Sequence, residues 1–226
     1  VARDNKKLEE VAEEIKNNYN VEVKFIQKDL SNKQNCINLY NELKNENIDI
    51  LINNAGFGVH GNFAETDLDK EINMLDTNVM AVHILMKLFL QDMVKRNSGK
   101  ILNVSSMAAF APGPLMAGYY SSKAYVYRLS ECVKTELKMA KSNVKISVLC
   151  PGPVRTNFNK VANVNFAAPS LSSDVVAKYA IKKMLKGKFT IVPGNLMKIT
   201  RFFEKILPHN WVSYVSYLVN YRKSEK

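Results

Sequence analysis

Apolar positions recur along this chain with two periods. Within residues 5–18, Leu8, Val11, Ala12 and Ile15 fall on one stripe, the mark of an amphipathic helix. Residues 21–26 alternate apolar and polar, which predicts a strand. Residues 31–47 read as a second helix with Ser31 as its N-cap. Residues 48–52 form a short apolar run, as expected of a strand buried on both faces. A long amphipathic stretch covers residues 67–95, and residues 100–104 predict another buried strand. Val126, Leu129, Val133 and Leu137 carry a helix over residues 119–141, followed by a strand at 144–149. Residues 152–170 have no period and read as a long loop. A helix at 172–186 and a strand at 189–192 follow. Strands alternating with helices predict a single α/β domain over residues 1–226, a parallel sheet between two helical layers. Ligands of such sheets sit beyond the carboxyl ends of the strands.

Composition narrows the reading. Apolar residues make up 46% of the chain, enough for a sizeable core. No apolar run approaches the about 20 residues of a membrane-spanning helix, and the polar, charged start has no signal-peptide pattern. Cys36, Cys132 and Cys150 are far apart and odd in number, which argues for a reducing, cytoplasmic setting over a disulfide framework. His60, His83 and His209 are isolated, and no metal-ligand cluster is visible. The net charge of +11 favours anionic partners. The lysines are dispersed, however, and not interleaved with aromatics in a block. That pattern reads as a solvated surface and not as a nucleic-acid site.

Tyr119 and Lys123 stand four apart at the start of a helix, so they share a face. A tyrosine at its reference pKa of about 10 is a poor acid–base group at neutral pH. A neighbouring ammonium favours the phenolate and lowers that value. Such a pair arises by chance on many helices, and a surface tyrosine beside a lysine explains it equally. Ser106 adds to it, because it closes a buried strand, where its hydroxyl can donate to a substrate oxygen. Asn53, Asn54, Ala55 and Gly56 directly follow another strand and suit a turn with close backbone approach to a ligand, or a turn alone.

Taken together, Asn53-Asn54-Ala55-Gly56, Asn78, Ser106, Tyr119-x-x-x-Lys123 and Pro151-Gly152-Pro153-Val154-x-Thr156 resemble the classical short-chain dehydrogenase/reductases, in the family's order. Ser106 precedes Tyr119 by thirteen positions, as in the family pattern, and the resemblance extends to about Val192. It implies a Rossmann-like, doubly wound fold and hydride transfer between a nicotinamide cofactor and a small carbonyl or alcohol. It implies a homodimer or homotetramer. Tyr119 would be the general acid in reduction and the base in oxidation. Lys123 would hold the nicotinamide ribose and depress the Tyr119 pKa. Ser106 would bond the substrate oxygen as charge develops on it. Asn78 would order a water linking Lys123 to solvent. Pro151, Gly152, Val154 and Thr156 would line the nicotinamide pocket, and Asn53, Ala55 and Gly56 would lie by the adenosine ribose. Asp29, followed by Leu30, looks like the family's adenine-contacting aspartate, although it could simply cap the next helix. Arg3 resembles the family's determinant for NADP(H), and a guanidinium suits a 2′-phosphate. Asp4 follows at once, and a carboxylate is what an NAD(H) enzyme offers the ribose. The reading leans to NADP(H), with NAD(H) as the alternative.

The family opens with a strand and a Thr-Gly-x-x-x-Gly-x-Gly turn for the cofactor pyrophosphate. No such segment occurs here, so about 30 residues, one strand–helix unit, are missing relative to the family pattern. The chain is therefore expected to be a truncated form of a longer protein. A complete chain of this sequence is expected to bind cofactor weakly, and buried backbone groups beside the absent strand would lose their partners.

Residues 152–170 occupy the family's substrate-loop position. Phe158, Val161, Val164, Phe166 and Ala167 suit an apolar substrate, or pack on their own domain. Residues 195–226 form an amphipathic helical extension. Leu196, Ile199, Phe203 and Ile206 make one stripe and Trp211, Tyr214, Val215 and Leu218 another, broken at Pro208. With Lys198, Arg201, Lys205, Arg222 and Lys223, this tail suits a peripheral membrane contact, packing on the domain, or a subunit interface. Two other functions compete with carbonyl reduction. One is a cofactor-sensing scaffold without turnover, which would not need the Ser106, Tyr119, Lys123 and Asn78 set. The other is a nucleotide-sugar epimerase or dehydratase, which the short chain and Pro151-Gly152 fit less well.

Overall fold

The computed structural model of the chain describes residues 1–156, 158 and 170–221. Helix α1 spans Asn5–Tyr19 and α2 spans Lys33–Leu43. Asp4 caps α1 by accepting from the Lys7 amide. Asn32 and not Ser31 caps α2, because Ser31 is already held by Asp29. Strand β1 is Ile50–Asn53, and α3 is Leu68–Leu75. A π-helical turn, Asp76–Met80, joins α3 to α4, Ala81–Lys95. The long amphipathic stretch is thus interrupted by one wide turn. Strand β2 is Lys100–Val104, with a short 3₁₀ turn at Met107–Phe110. Helix α5 is Ala117–Met139 and β3 is Lys145–Leu149. Two-residue strands β4, Val154–Arg155, and β5, Leu171–Ser172, follow, so the expected loop is not wholly irregular. Helix α6 is Ser173–Leu185 and β6 is Thr190–Ile191. Helices α7, Asn195–Ile206, and α8, His209–Tyr221, end the described chain. Gly194 takes φ +83 at the start of α7, a backbone conformation that favours glycine, and Pro208 separates the two helices.

The main sheet is parallel, in the order β1-β2-β3-β6, and β4 pairs with β5 apart from it. Side chains alternate across it, as a pleated strand requires. Ile101 and Ile146 point to one face, where they pack with Met86 and Met93 of α4 and Leu137 of α5. Leu102 and Leu149 point to the other and meet Val176, Ala180 and Met184 of α6. The second helix packs outside α4 through Cys36 and Leu39 against Leu85 and Phe89. The architecture is the parallel, helix-flanked α/β sheet of a Rossmann-like fold.

Two expectations change. Residues 21–26 make no strand ladder; one parallel bridge, Ala2 to Gln27, stands outside the sheet. A single bridge leaves most of that backbone without a strand partner. Strand β1 is not buried on both faces either. Leu51 faces the core, but Ile50 and Ile52 are 41% and 45% exposed on the side that α6 covers only farther along the sheet.

Candidate active site

The carboxyl ends of β1 and β2 and the first turns of α5 bring the chemistry-bearing residues together. Ser106 follows β2 in extended backbone, and its Oγ accepts from the Ala108 amide at 3.1 Å. Across from it, on α5, Tyr119 lies close enough to Ser106 for that hydroxyl to favour its phenolate. One turn on, Lys123 is buried and donates from Nζ to the Val104 carbonyl at 3.1 Å. Its Nζ lies 5.8 Å from the Tyr119 ring centroid. Ser106, Tyr119 and Lys123 therefore form one cluster.

The expected lowering of the Tyr119 pKa does not occur in this arrangement. Burial pushes the phenol up to about 12, against the opposing effect of the nearby Ser106 hydroxyl. Burial also pushes the Lys123 ammonium down to about 8. The physical reason is placement. Lys123 spends a donor on Val104 and lies against the tyrosine ring, so desolvation dominates both groups.

Asn78 sits on the π turn, fully buried. Its Oδ1 accepts from the Phe57 amide at 3.0 Å, and its Nδ2 donates to the Phe57 carbonyl at 2.9 Å and to Ser122 Oγ at 3.0 Å. Its side chain thus ties the segment after β1 to α5, and π turns of this kind are frequent at functional sites. At Gly56 that segment passes close to both Asn78 and Lys123. A Cβ there would lie 2.8 Å from Asn78 Oδ1 and 3.1 Å from Lys123 Nζ. Asn54, Ala55 and Gly56 are exposed, whereas Asn53 is buried and donates to Asn103 Oδ1 at 2.8 Å. Asn103 donates in turn to Ser130 Oγ at 2.8 Å. Such a satisfied buried network fixes the register of β1, β2 and α5.

The remaining cofactor candidates divide. Arg3 is exposed, and its positive charge helps hold the Asp29 carboxyl below its ordinary value, behind the larger effect of the Ser31 amide. Asp29 Oδ1 accepts from that amide at 3.0 Å and from Ser31 Oγ at 2.8 Å, which shapes the turn before α2. Leu30 packs on the cluster of α2 and α4. Pro151 accepts from the Met107 amide at 3.0 Å, joining the segment after β3 to the 3₁₀ turn behind Ser106. Gly152 is pressed by Met197 of α7, whose Sδ would lie 2.3 Å from a Cβ there. Pro151, Gly152 and Val154 line a cavity of about 220 Å³ with Met197. Thr156 is exposed and accepts from the Phe158 amide at 3.2 Å. Val161, Val164, Phe166, Ala167, Arg222 and Lys223 lie outside the described residues.

Several contributors escaped the sequence reading. Ser105 donates to the Lys123 carbonyl at 2.8 Å and Ser122 to the Tyr119 carbonyl at 2.7 Å, so hydroxyls brace both residues. Met116 joins Phe158, already read as a substrate-loop residue, over Gly58, and the Phe158 ring lies tilted with its centroid 5.3 Å from that of Tyr119. Asn220 of α8 is fully buried. It donates to the Pro114 carbonyl at 2.8 Å, accepts from Tyr120 Oη at 3.4 Å, and its carbonyl lies 3.1 Å from His60 Nε2. An asparagine inside an apolar helical stripe was the available signal, but its partners are about 100 residues or more away in sequence for Tyr120 and Pro114.

The donor set fits a nicotinamide cofactor: an exposed backbone segment at residues 54–56 runs past buried Lys123, where only glycine leaves room. Among the described residues no cluster of ligands could hold a metal ion. Comparison with known proteins gives the family. Residues 1–166 match the family described as short chain dehydrogenase. The very-long-chain 3-oxoacyl-CoA reductase of Rattus norvegicus is 31% identical over 229 residues, 99% of this chain and 71% of that protein. The probable oxidoreductase EphD of Mycobacterium tuberculosis is 38% identical over 129 residues, 57% of this chain, and the chain spans only 21% of its length. In structure, a short-chain dehydrogenase from Sphingobium yanoikuyae in complex with NADPH superposes with TM-score 0.79 at 23% identity, over 91% of this chain and 84% of that one. One from Burkholderia phymatum in complex with NAD gives TM-score 0.79 at 24% identity, over 89% and 82%. These two likenesses show the shared fold.

Proposed function

The chain belongs to the short-chain dehydrogenase family, and from that premise we propose that it reduces the carbonyl of an apolar substrate with NADPH. The observation that carries the reading is the gathering of Ser106, Tyr119 and Lys123 at one strand end, with Lys123 buried behind the tyrosine ring. The cofactor, when bound, supplies the hydride. The chain's own residues do the rest. Ser106 and Tyr119 offer two hydroxyls to one substrate oxygen, where negative charge grows in the transition state. Tyr119 carries the phenolic proton that this oxygen takes up as the carbonyl is reduced. Lys123 has three N–H donors, of which Val104 takes one, so others can reach ribose hydroxyls. Gly56 keeps its backbone close enough for this.

NADP(H) is favoured over NAD(H) by Arg3, whose exposed guanidinium suits a 2′-phosphate. An apolar substrate is favoured by Met116 and Phe158, which pack around Gly58 beside Tyr119. The long-chain acyl substrate in the rat relative's name agrees with such a wall. The test is a panel of ketones, 3-oxoacyl-CoA thioesters and ketose sugars, followed by the absorbance of NADPH and then of NADH. Turnover of apolar ketones or acyl thioesters well above sugars, and faster with NADPH, is expected. Turnover of sugars alone, or equal rates with both cofactors, would contradict the substrate and cofactor assignments respectively.

A further inference from the structure

The last two helices invert the usual arrangement of polarity. Helix α7 turns Met197, Arg201 and Glu204 toward the domain, at the four- and three-residue spacing of one face. Met197 presses on Gly152. The Arg201 guanidinium lies 4.4 Å from the Phe110 ring centroid and donates to Tyr127 Oη at 3.3 Å. Glu204 Oε2 is buried. The outward face carries Leu196, Ile199, Phe202, Phe203 and Ile206, with Phe202 and Ile206 each 60% exposed. Helix α8 continues the pattern. Val212 and Asn220 are buried, while Trp211, Tyr214, Val215 and Leu218 face outward, Trp211 at 71% exposure. Each of these helices, about 18–20 Å long, thus presents an apolar outward stripe. Singly exposed apolar residues are ordinary, but stripes of five on one helix and four on the next mark an interaction site.

We propose that the outward face of α7 and α8 docks on an anionic lipid surface. Charge selects that occupant. Across residues 195–221 the one carboxylate is Glu204, which is turned inward, whereas Lys198 and Lys205 are exposed. A second copy of the same face would bring lysines and no counter-charge. Anionic headgroups supply that counter-charge while the acyl boundary takes the apolar side chains. Trp211 and Tyr214 suit the boundary itself, with apolar rings and polar tips. No described helix is long and apolar enough to cross a membrane, so the face lies along the surface.

Trp211 is the chain's single tryptophan, so its emission reports the contact directly. The probes are phosphatidylcholine vesicles with and without phosphatidylserine. With phosphatidylserine, the purified protein is expected to float with the vesicles. Trp211 emission should shift to the blue and be quenched by brominated acyl chains. Lys198→Glu and Lys205→Glu should each weaken partitioning by about fivefold or more, and Ile199→Ser combined with Phe203→Ser should abolish it, with far-UV circular dichroism unchanged. Neither flotation nor an emission shift with phosphatidylserine vesicles overturns the proposal. Binding that ignores all four substitutions does the same. A lipid-free dimer that Ile199→Ser dissociates, while vesicles leave the emission unmoved, assigns the face to a second copy instead.

Discussion

Burial pushes the Tyr119 phenol up to about 12 and the Lys123 ammonium down to about 8. Both changes favour the uncharged form. For Lys123 the consequence for stability has a definite sign. Between about pH 8 and its ordinary value of 10.5, the unfolded chain binds the proton that the folded chain has released. Stability therefore rises with pH across that window, and below it the folded state carries the full cost of a buried ammonium. Lys123→Met removes that cost. The variant should be more stable than the native protein at neutral pH, by up to about 3 kcal/mol, with the gap closing toward pH 10.5. Thermal unfolding of both proteins across that range measures it; a gap independent of pH would show that Lys123 is not desolvated. Gly56 gives a second residue-scale outcome. Gly56→Ala places a methyl 2.8 Å from Asn78 Oδ1 and 3.1 Å from Lys123 Nζ. Cofactor affinity should fall roughly tenfold or more, as a close approach is lost, while circular dichroism stays native. Unchanged affinity by fluorescence titration would remove Gly56 from the cofactor path. Ser106, Tyr119 and Lys123 could be read from their spacing because one strand end and one helix turn place them. Asn220 could not, because its neighbours are set by the packing of α8 on distant loops.

At the scale of elements, the pattern of apolar positions located β2 and α5 and placed α1, β3 and α6 to within about two residues. It missed the π turn at Asp76–Met80, since one wide turn shifts an amphipathic stripe too little to be seen. It also predicted a strand at 21–26, where alternation is present but only the Ala2–Gln27 bridge forms. Alternation describes a half-buried surface and does not supply a neighbour to bond. Helix α7 was legible as amphipathic, yet its polar side faces inward. Glu204 records that orientation: burial raises its pKa to about 7, with Arg201 opposing. Its proton is held more tightly in the folded chain, so its favourable contribution is complete below the ordinary value of 4.5 and is lost as pH rises through 7. Glu204→Gln should therefore stabilise the protein above neutral pH and do little in acid. Denaturant midpoints at the two ends of that range test it, and a loss of stability at high pH would mean that the Glu204–Arg201 attraction outweighs burial.

For the whole molecule, the parallel sheet with helices around it was readable from the alternation of periods. How completely each face is covered was not. Ile50 and Ile52 look like core residues in sequence, and they are exposed because α6 covers the sheet only from β2 onward. The outward apolar face of α7 and α8 follows the same rule, since periodicity gives a stripe but not the direction in which it points. What unites the scales is one cluster at the ends of β1 and β2, braced by Asn78, Ser105 and Ser122 so that Ser106, Tyr119 and Lys123 meet. The most direct measurement is single-turnover NADPH oxidation by the native protein and by Tyr119→Phe, using the best carbonyl substrate of the panel. The account predicts a rate loss of about 10²–10⁴-fold with NADPH affinity retained. Equal rates for the two proteins would contradict it.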